Sequence, residues 1–284
     1  MLVTSKELVL DAQKKGYAVP AINTQGGNYD IIRSICYAAE EMRSPVILAH
    51  YVSTGEYSGH DWFAEVCKWL ANKVTVPVAI HLDHGDSFDT CMMALKNGFT
   101  SVMLDCSMES IEDNARHTNE VIKVCHAFGI PVEAEVGELV RLDSAGSVMD
   151  NKNIANVEDV KKFLKDCSPD MLAVGIGNAH GFYNGEPLIR LDILREVRKI
   201  TNIPLVLHGC TGMPDDTVKE AISIGVAKIN FGTLIRHKYV EYMKEGIETL
   251  NHQGHSWKIS QYASKKLEGV IKEIIELSGS QNKV

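Results

Sequence analysis

The chain has 284 residues, 45% of them hydrophobic and 23% charged, enough apolar side chain to bury a large core under a charged exterior. The formal net charge is −8 at pH 7 and no basic stripe interrupts it, which argues against duplex nucleic acid or an anionic membrane surface as a partner. A local positive pocket for a small anion stays open. The opening MLVTSKELVLDAQKKG lacks the basic start and apolar centre of a secretory leader, and no apolar run approaches the roughly 20 residues that span a bilayer. A cytoplasmic setting is therefore expected. Cys36, Cys67, Cys91, Cys106, Cys125, Cys167 and Cys210 are odd in number, widely spaced and free of CxxC pairs, so they are read as reduced, buried side chains.

Short β-branched apolar runs recur along the chain. They are Tyr17–Asn23, Val46–Tyr51, Val76–Asp83, Ser101–Asp105, Pro131–Gly137, Met171–Gly175, Pro204–His208 and Ala227–Phe231. Most lack alternation, as expected of strands covered on both faces. Helical periodicity fills the intervals at Tyr29–Met42, Trp62–Leu70, Phe88–Lys96, Asn114–Phe128, Val157–Leu164, Leu191–Ile200 and Asp215–Ile224. This alternation predicts an α/β protein, a (β/α)8 TIM barrel forming a single domain over residues 1–284. A doubly wound open sheet is the competing arrangement, but Gly26–Gly27 lacks the third glycine of a nucleotide fingerprint. After the eighth strand, Thr233–Leu250 and Trp257–Ser278 read as additional C-terminal helices, and Gly279–Val284 as a frayed tail. The connection Glu138–Asn156 is long for its place and reads as an active-site lid.

The strand ends carry the chemistry. Asn23, Asp83 with His84, Asp105, Glu135, His208 and Asn230 all fall at or beside the C-terminal ends of strand candidates. Any one of them is an ordinary cap or turn residue; together they describe a site on a barrel rim. His84 in HLDHG, His180 in GNAHG and His208 in VLHGCTG follow the third, sixth and seventh strands, and a barrel brings such positions around one axis. Three neutral imidazoles with an open position make a catalytic zinc environment. His81 either points into the barrel or supports the site. Asp83 and His84 are adjacent, so their side chains are expected to diverge, one toward metal and one toward substrate. Asp105 and Glu135 either hold a second cation or orient the imidazoles by hydrogen bonds. Glycine-rich turns at Gly175–Gly181 and Gly209–Gly212, with Thr211 and Thr233, suit a phosphate near strands seven and eight.

HLDHG, PVEAEVG, GNAHGFY, LVLHGCTG and KIN, in this order and spacing over the whole chain, resemble the class II, metal-dependent ketose-bisphosphate aldolases. The resemblance implies a zinc-dependent, reversible aldol cleavage of a phosphorylated ketose, with ketose 1,6-bisphosphates the expected class, to dihydroxyacetone phosphate and an aldehyde. It implies zinc on His84, His180 and His208, a second divalent position near Asp105 and Glu135, and Asp83 as the acid that exchanges a proton at the cleaved bond. It also implies Asn23 and Asn230 orienting the dihydroxyacetone phosphate half. Gly181, Gly209, Thr211 and Thr233 would cradle its phosphate, with a sodium or potassium ion nearby, and the protein would be a homodimer or homotetramer. The chain departs from the family at its distal substrate end. Where relatives carry paired glycines and then an acidic base, this chain has Val140-Arg141 followed by LDS; Asp143 falls at the base position, with Glu138 and Asp150 as other candidates. Tyr51 replaces a common serine or threonine, and a distal arginine has no clear match, Lys258 being the nearest substitute. Tyr51 and Arg141 are thus candidate distal substrate contacts. A metal-dependent sugar-phosphate isomerase or epimerase, and a non-catalytic metal-binding sugar-phosphate sensor, are the alternative functions. Lys228, on the eighth strand, keeps an imine mechanism conceivable, although three histidines favour metal.

Overall fold

The computed structural model describes residues 1–139, 141–142, 148–150, 154–185, 187–250 and 255–284. Helix α1 (Ser5–Lys15) leads into β1 (Val19–Asn23), α2 (Tyr29–Met42), β2 (Val46–Tyr51), and then the helix pair α3 (Val52–Ser58) and α4 (His60–Ala71). There follow β3 (Val78–Gly85), α5 (Phe88–Lys96), β4 (Ser101–Leu104), α6 (Ile111–Ala127) and β5 (Val132–Val136). Two short antiparallel strands, β6 (Arg141–Leu142) and β7 (Val148–Asp150), precede α7 (Val157–Asp166) and β8 (Met171–Val174). The chain continues through α8 (Leu191–Ile200), β9 (Leu205–Leu207), α9 (Asp215–Ile224), β10 (Val226–Phe231), α10 (Thr233–Thr249) and α11 (Ser256–Ser278). The strands β1, β2, β3, β4, β5, β8, β9 and β10 pair in parallel and close on themselves as an eight-stranded barrel, with the helices outside. Among the described residues no helix is long and apolar enough to cross a membrane.

The local causes are visible in the sequence. Asn28 starts α2 by accepting hydrogen bonds from the amides of Asp30 and Ile31, and Ile31, Ile35, Ala38 and Ala39 then turn one buried face to the sheet. Ser110 and Asn156 cap α6 and α7 in the same way. In β2, β4, β5 and β8 nearly every residue is buried, because one side faces the barrel interior and the other the helix layer. All seven cysteines are buried and free.

Two chain ends differ from expectation. The first is α1, a helix that the apolar periodicity does not predict. Its Leu8, Val9 and Ala12 cluster with Val19, Ala21, Ile47, Ala79, Met171, Ala173 and Val206, so the helix stoppers the N-terminal end of the barrel. The second is the C-terminal tail, which is not frayed. Asn282 and Lys283 donate backbone hydrogen bonds to Met42 and Arg43, Arg43 donates to Val284, and Ser280 is fully buried between Ser44 and Ser278. A polar tail pinned by hydrogen bonds has no apolar periodicity to announce it.

Leu8 is almost fully buried against the barrel floor. Leu8→Ala is expected to lower the unfolding free energy by about 2–4 kcal/mol. Urea denaturation checks this; an unchanged midpoint would remove α1 from the core.

Candidate functional site

The interior changes character along the barrel axis. Above the apolar floor lies an ionic layer. Lys228, from β10, and Glu133, from β5, are both fully buried and pair at 2.8 Å. His81 stands 3.4 Å from the Lys228 amine and 2.7 Å from the Ser101 hydroxyl, which also accepts from Ser5. The second oxygen of Glu133 accepts from His208 Nε2 at 2.8 Å. That bond places the imidazole proton on Nε2 and leaves Nδ1 as a lone pair facing Asn230 and Asp83.

At the next level up, strand β3 makes the decisive local move. Its pairing with β4 slips between Leu82 and Gly85, inserting one residue, and His84 takes a left-handed φ of 50°. In a regular strand Asp83 and His84 would face opposite sides. The bulge instead turns His84 back, so that Asp83, His84 and His208 present ligand atoms all within 4.8 Å of one another. The expected divergence of the two neighbours is therefore corrected: they converge. Gly85 is required behind them, since a Cβ there would lie 2.4 Å from the Met103 carbonyl oxygen.

Around this point the other residues assemble. His84 Nδ1 is 2.7 Å from Asp105 Oδ2 and 3.8 Å from Glu135, and these three form a second group of ligand atoms within 4.8 Å. The His84 ring lies 5.1 Å from His180 and 4.7 Å from His208, centroid to centroid. Asn230 donates to Asp83 Oδ1 at 3.0 Å. Asn23, Tyr51, Gly181, Gly209, Thr211 and Thr233 line the same cleft of about 900 Å³. The Tyr51 ring stands edge-on to His84 at 6.2 Å. Glu138 lines the cleft as well, whereas Lys258 lies over Trp257 on α11. Asp143 lies outside the described residues. Only the backbones of Arg141 and Asp150 are described, in β6 and β7.

A family model for class II fructose-bisphosphate aldolase matches residues 3–283. The chain belongs to that family. It is 37% identical to the fructose-bisphosphate aldolase of Thermus caldophilus, with 99% of each chain covered, and 34% identical to that of Helicobacter pylori, with all of both covered. The solved structure of the YdjI aldolase from Escherichia coli K12 superposes with a TM-score of 0.87 at 31% identity, covering 100% of this chain and 99% of that one. This aldolase is accordingly an enzyme of the metal-dependent carbon–carbon lyase class.

The residues fit a divalent ion. His84 Nε2, Glu135 Oε2 and Asn230 Oδ1 are buried with no hydrogen-bond partner among the described residues, and imidazole with carboxylate is a donor set for zinc-like ions. The electrostatics agree. Burial alone would depress the pKa of His84, but its bond to Asp105 and the charges of Asp83 and Glu135 outweigh that and raise it to about 9. Burial, and then the Asp105 charge, push Glu135 well above the usual carboxylate range. For Asp83 burial is outweighed by the charges of His84, His208 and Lys228, which hold it below that range. His180 opens to the mouth on one side, yet desolvation by the cleft walls and the charge of His84 lower it to about 4.

Several residues of the aldolase site lie outside what strand ends reveal. Glu133 is the clearest: in PVEAEVG it shares a strand face with Glu135, and that period of two is the available signal. Asn178 accepts from the Ile176 amide and donates to the His208 carbonyl, while Tyr183 donates to the Gly209 carbonyl, so both fix the turns that carry His180 and Gly209. Glycine at 209 is needed because its φ is 67° and a Cβ would lie 2.3 Å from the Ala179 oxygen.

Two outcomes follow from this geometry. Gly85→Ala is expected to cost about 1–3 kcal/mol of stability and to weaken divalent-ion binding, because β3 must shift to relieve the contact; calorimetric titration with full affinity retained would contradict the bulge argument. An ion held by His84 would need that imidazole neutral, and its proton is held up to about pH 9. Affinity of the ion-free protein should therefore rise as pH climbs from 7 to 9, by up to about tenfold per unit, and level off above. Titrations in buffers of different ionisation enthalpy would show the released proton.

Proposed function

We propose that this aldolase catalyses the reversible cleavage of a phosphorylated ketose to dihydroxyacetone phosphate and an aldehyde, with ketose 1,6-bisphosphates as the expected class. The observation that carries the reading is the convergence of consecutive Asp83 and His84 on one centre with His208, which delivers a proton-transfer group and an ion-binding group to the same few ångströms. Under this reading His84, His180 and His208 hold Zn2+, and Asp105 and Glu135 offer a second divalent position. A divalent ion bound there would polarise the substrate carbonyl and offset the negative charge that develops on its oxygen.

The chain's own groups supply the rest. Asp83 is ionised at neutral pH and its Oδ1 is fixed by Asn230, which suits it to take the proton of the hydroxyl at the breaking bond and to return it in condensation. Asp143 is assigned the proton on the carbon beside the carbonyl. The Thr211 hydroxyl accepts from the Leu234 amide at the start of α10, which ties the turn after β9 to a helix N-terminus. Gly181, Gly209, Thr211 and Thr233 would bind the phosphate there, with a sodium or potassium ion beside it. Asn23 and Asn230 would orient the dihydroxyacetone phosphate half, leaving Tyr51 and Arg141 for the distal end.

Lys228 supports this reading over an imine. Its amine is fully buried and ion-paired with Glu133 beneath His208, away from the cleft lining.

The test presents the ion-loaded protein with dihydroxyacetone phosphate and a panel of aldehydes, with products identified by mass and NMR. A ketose phosphate whose carbon count is the sum of the two reactants is expected. Interconversion at constant carbon number would replace the reading with an isomerase. Asp83→Ala should keep its ion and lose about 10²–10⁴ in turnover, while proton exchange at dihydroxyacetone phosphate persists; survival of both rates would take the role from Asp83.

A further inference from the structure

Among the described residues three groups of ligating side chains come close enough to share an ion, and two of them contain His84. The third shares no residue with those two: Cys106, Glu109 and His117, whose ligand atoms are within 4.8 Å of one another. We propose that these three side chains form a second, thiolate-containing site for a borderline-soft divalent cation such as zinc or cobalt, on the turn between β4 and α6.

The geometry is organised before any ion arrives. Cys106 directly follows β4 and Asp105, and is anchored in the hydrophobic core with only 8% of its surface exposed. A tight turn brings Glu109 back over it, with the Glu109 amide donating to the Cys106 carbonyl at 3.0 Å. Ser110 then caps α6, accepting from the Asp113 amide. Two turns into that helix His117 leans back to Glu109, its Nδ1 2.7 Å from the carboxylate. A carboxylate that orients an imidazole is a recurrent feature of metal sites. One side of the group is core and the other is open: His117 and Glu109 remain about a third and two-fifths exposed. Three protein donors of mixed sulfur, nitrogen and oxygen type with a solvent-facing position match a zinc-like ion, and are a poor set for magnesium or calcium.

A rival use of the same residues is a thiol nucleophile served by a carboxylate-held histidine. Cys106 is only 8% exposed and packed into the hydrophobic core, which leaves a nucleophile little access to a substrate. A bound cation supplies the compensating charge that the empty trio lacks. Among the described residues, the Arg116 guanidinium is already engaged by Asp113 and Glu120. The turn also carries Met108 into the wall of the substrate cleft and Ser107 onto Asp105. An ion on Cys106 would therefore stiffen one wall of the cleft without entering it.

Neither of the two ligand groups that contain His84 includes a cysteine, so a thiolate-to-cobalt charge-transfer band distinguishes the proposed site from them. Co2+ is titrated into the ion-free full chain and followed by near-ultraviolet absorption. The band is expected to saturate, to survive in His84→Ala, where the catalytic centre is broken, and to vanish in Cys106→Ser. In His117→Ala, which alters a partly exposed side chain and is expected to leave the fold intact, half-saturation should move at least about tenfold. The proposal is overturned if no band forms at saturating Co2+, if the band persists in Cys106→Ser, or if His117→Ala leaves half-saturation unchanged. None of these readings depends on aldolase turnover, so they separate this site from the catalytic one.

Discussion

One inserted residue in β3 sets the geometry on which the site depends. A parallel strand delivers every second side chain to the barrel interior, so a regular β3 would offer the mouth either Asp83 or His84. The slip against β4, with His84 at positive φ, offers both. The conformation is uncommon for a residue with a Cβ, and it is held from two sides, by the close approach of Gly85 to the β4 backbone and by the Asp105 hydrogen bond to the turned ring. Backbone strain and the convergence of Asp83 with His84 coincide in one dipeptide.

Beneath that bulge lies a second constraint, a fully buried lysine and glutamate in the middle of the barrel. Two charges withdrawn from water cost several kcal/mol each unless geometry and hydrogen bonds compensate. Here Glu133 divides its two oxygens between the Lys228 amine and the His208 ring. The same contact that compensates the carboxylate also decides which nitrogen of His208 is left to face Asn230 and Asp83. Stability and site orientation are thus coupled through one side chain, in contrast to the apolar floor, where Leu8, Val9 and Ala12 contribute packing alone.

The barrel is legible in the sequence because strands sheathed on both faces must be apolar throughout, and runs such as Val46–Ala49 and Met171–Val174 leave no polar face for water. The rim is legible because ionisable residues end those runs. What stays hidden is conformational or interior. HLDHG does not display a positive φ, so the two neighbours are expected to part. Glu133 and Lys228 sit mid-strand among mostly apolar residues, where a charge looks like an interruption until its partner across the barrel is known. Leu8, Val9 and Ala12 mark only one face of a short helix, too little to distinguish a stopper from a surface element. Asp143 rests on counting along a connection and has no fold-level feature to support it.

The stopper formed by α1 has an implication for traffic. With the floor filled by side chains, the described residues open to the reactants at the strand ends. Under the proposed cleavage, two fragments made from one molecule would leave through the opening that admitted it, a piece seated deeper waiting on one nearer solvent. Order of departure, on this architecture, is a property of the barrel's shape before it is a property of any rim residue.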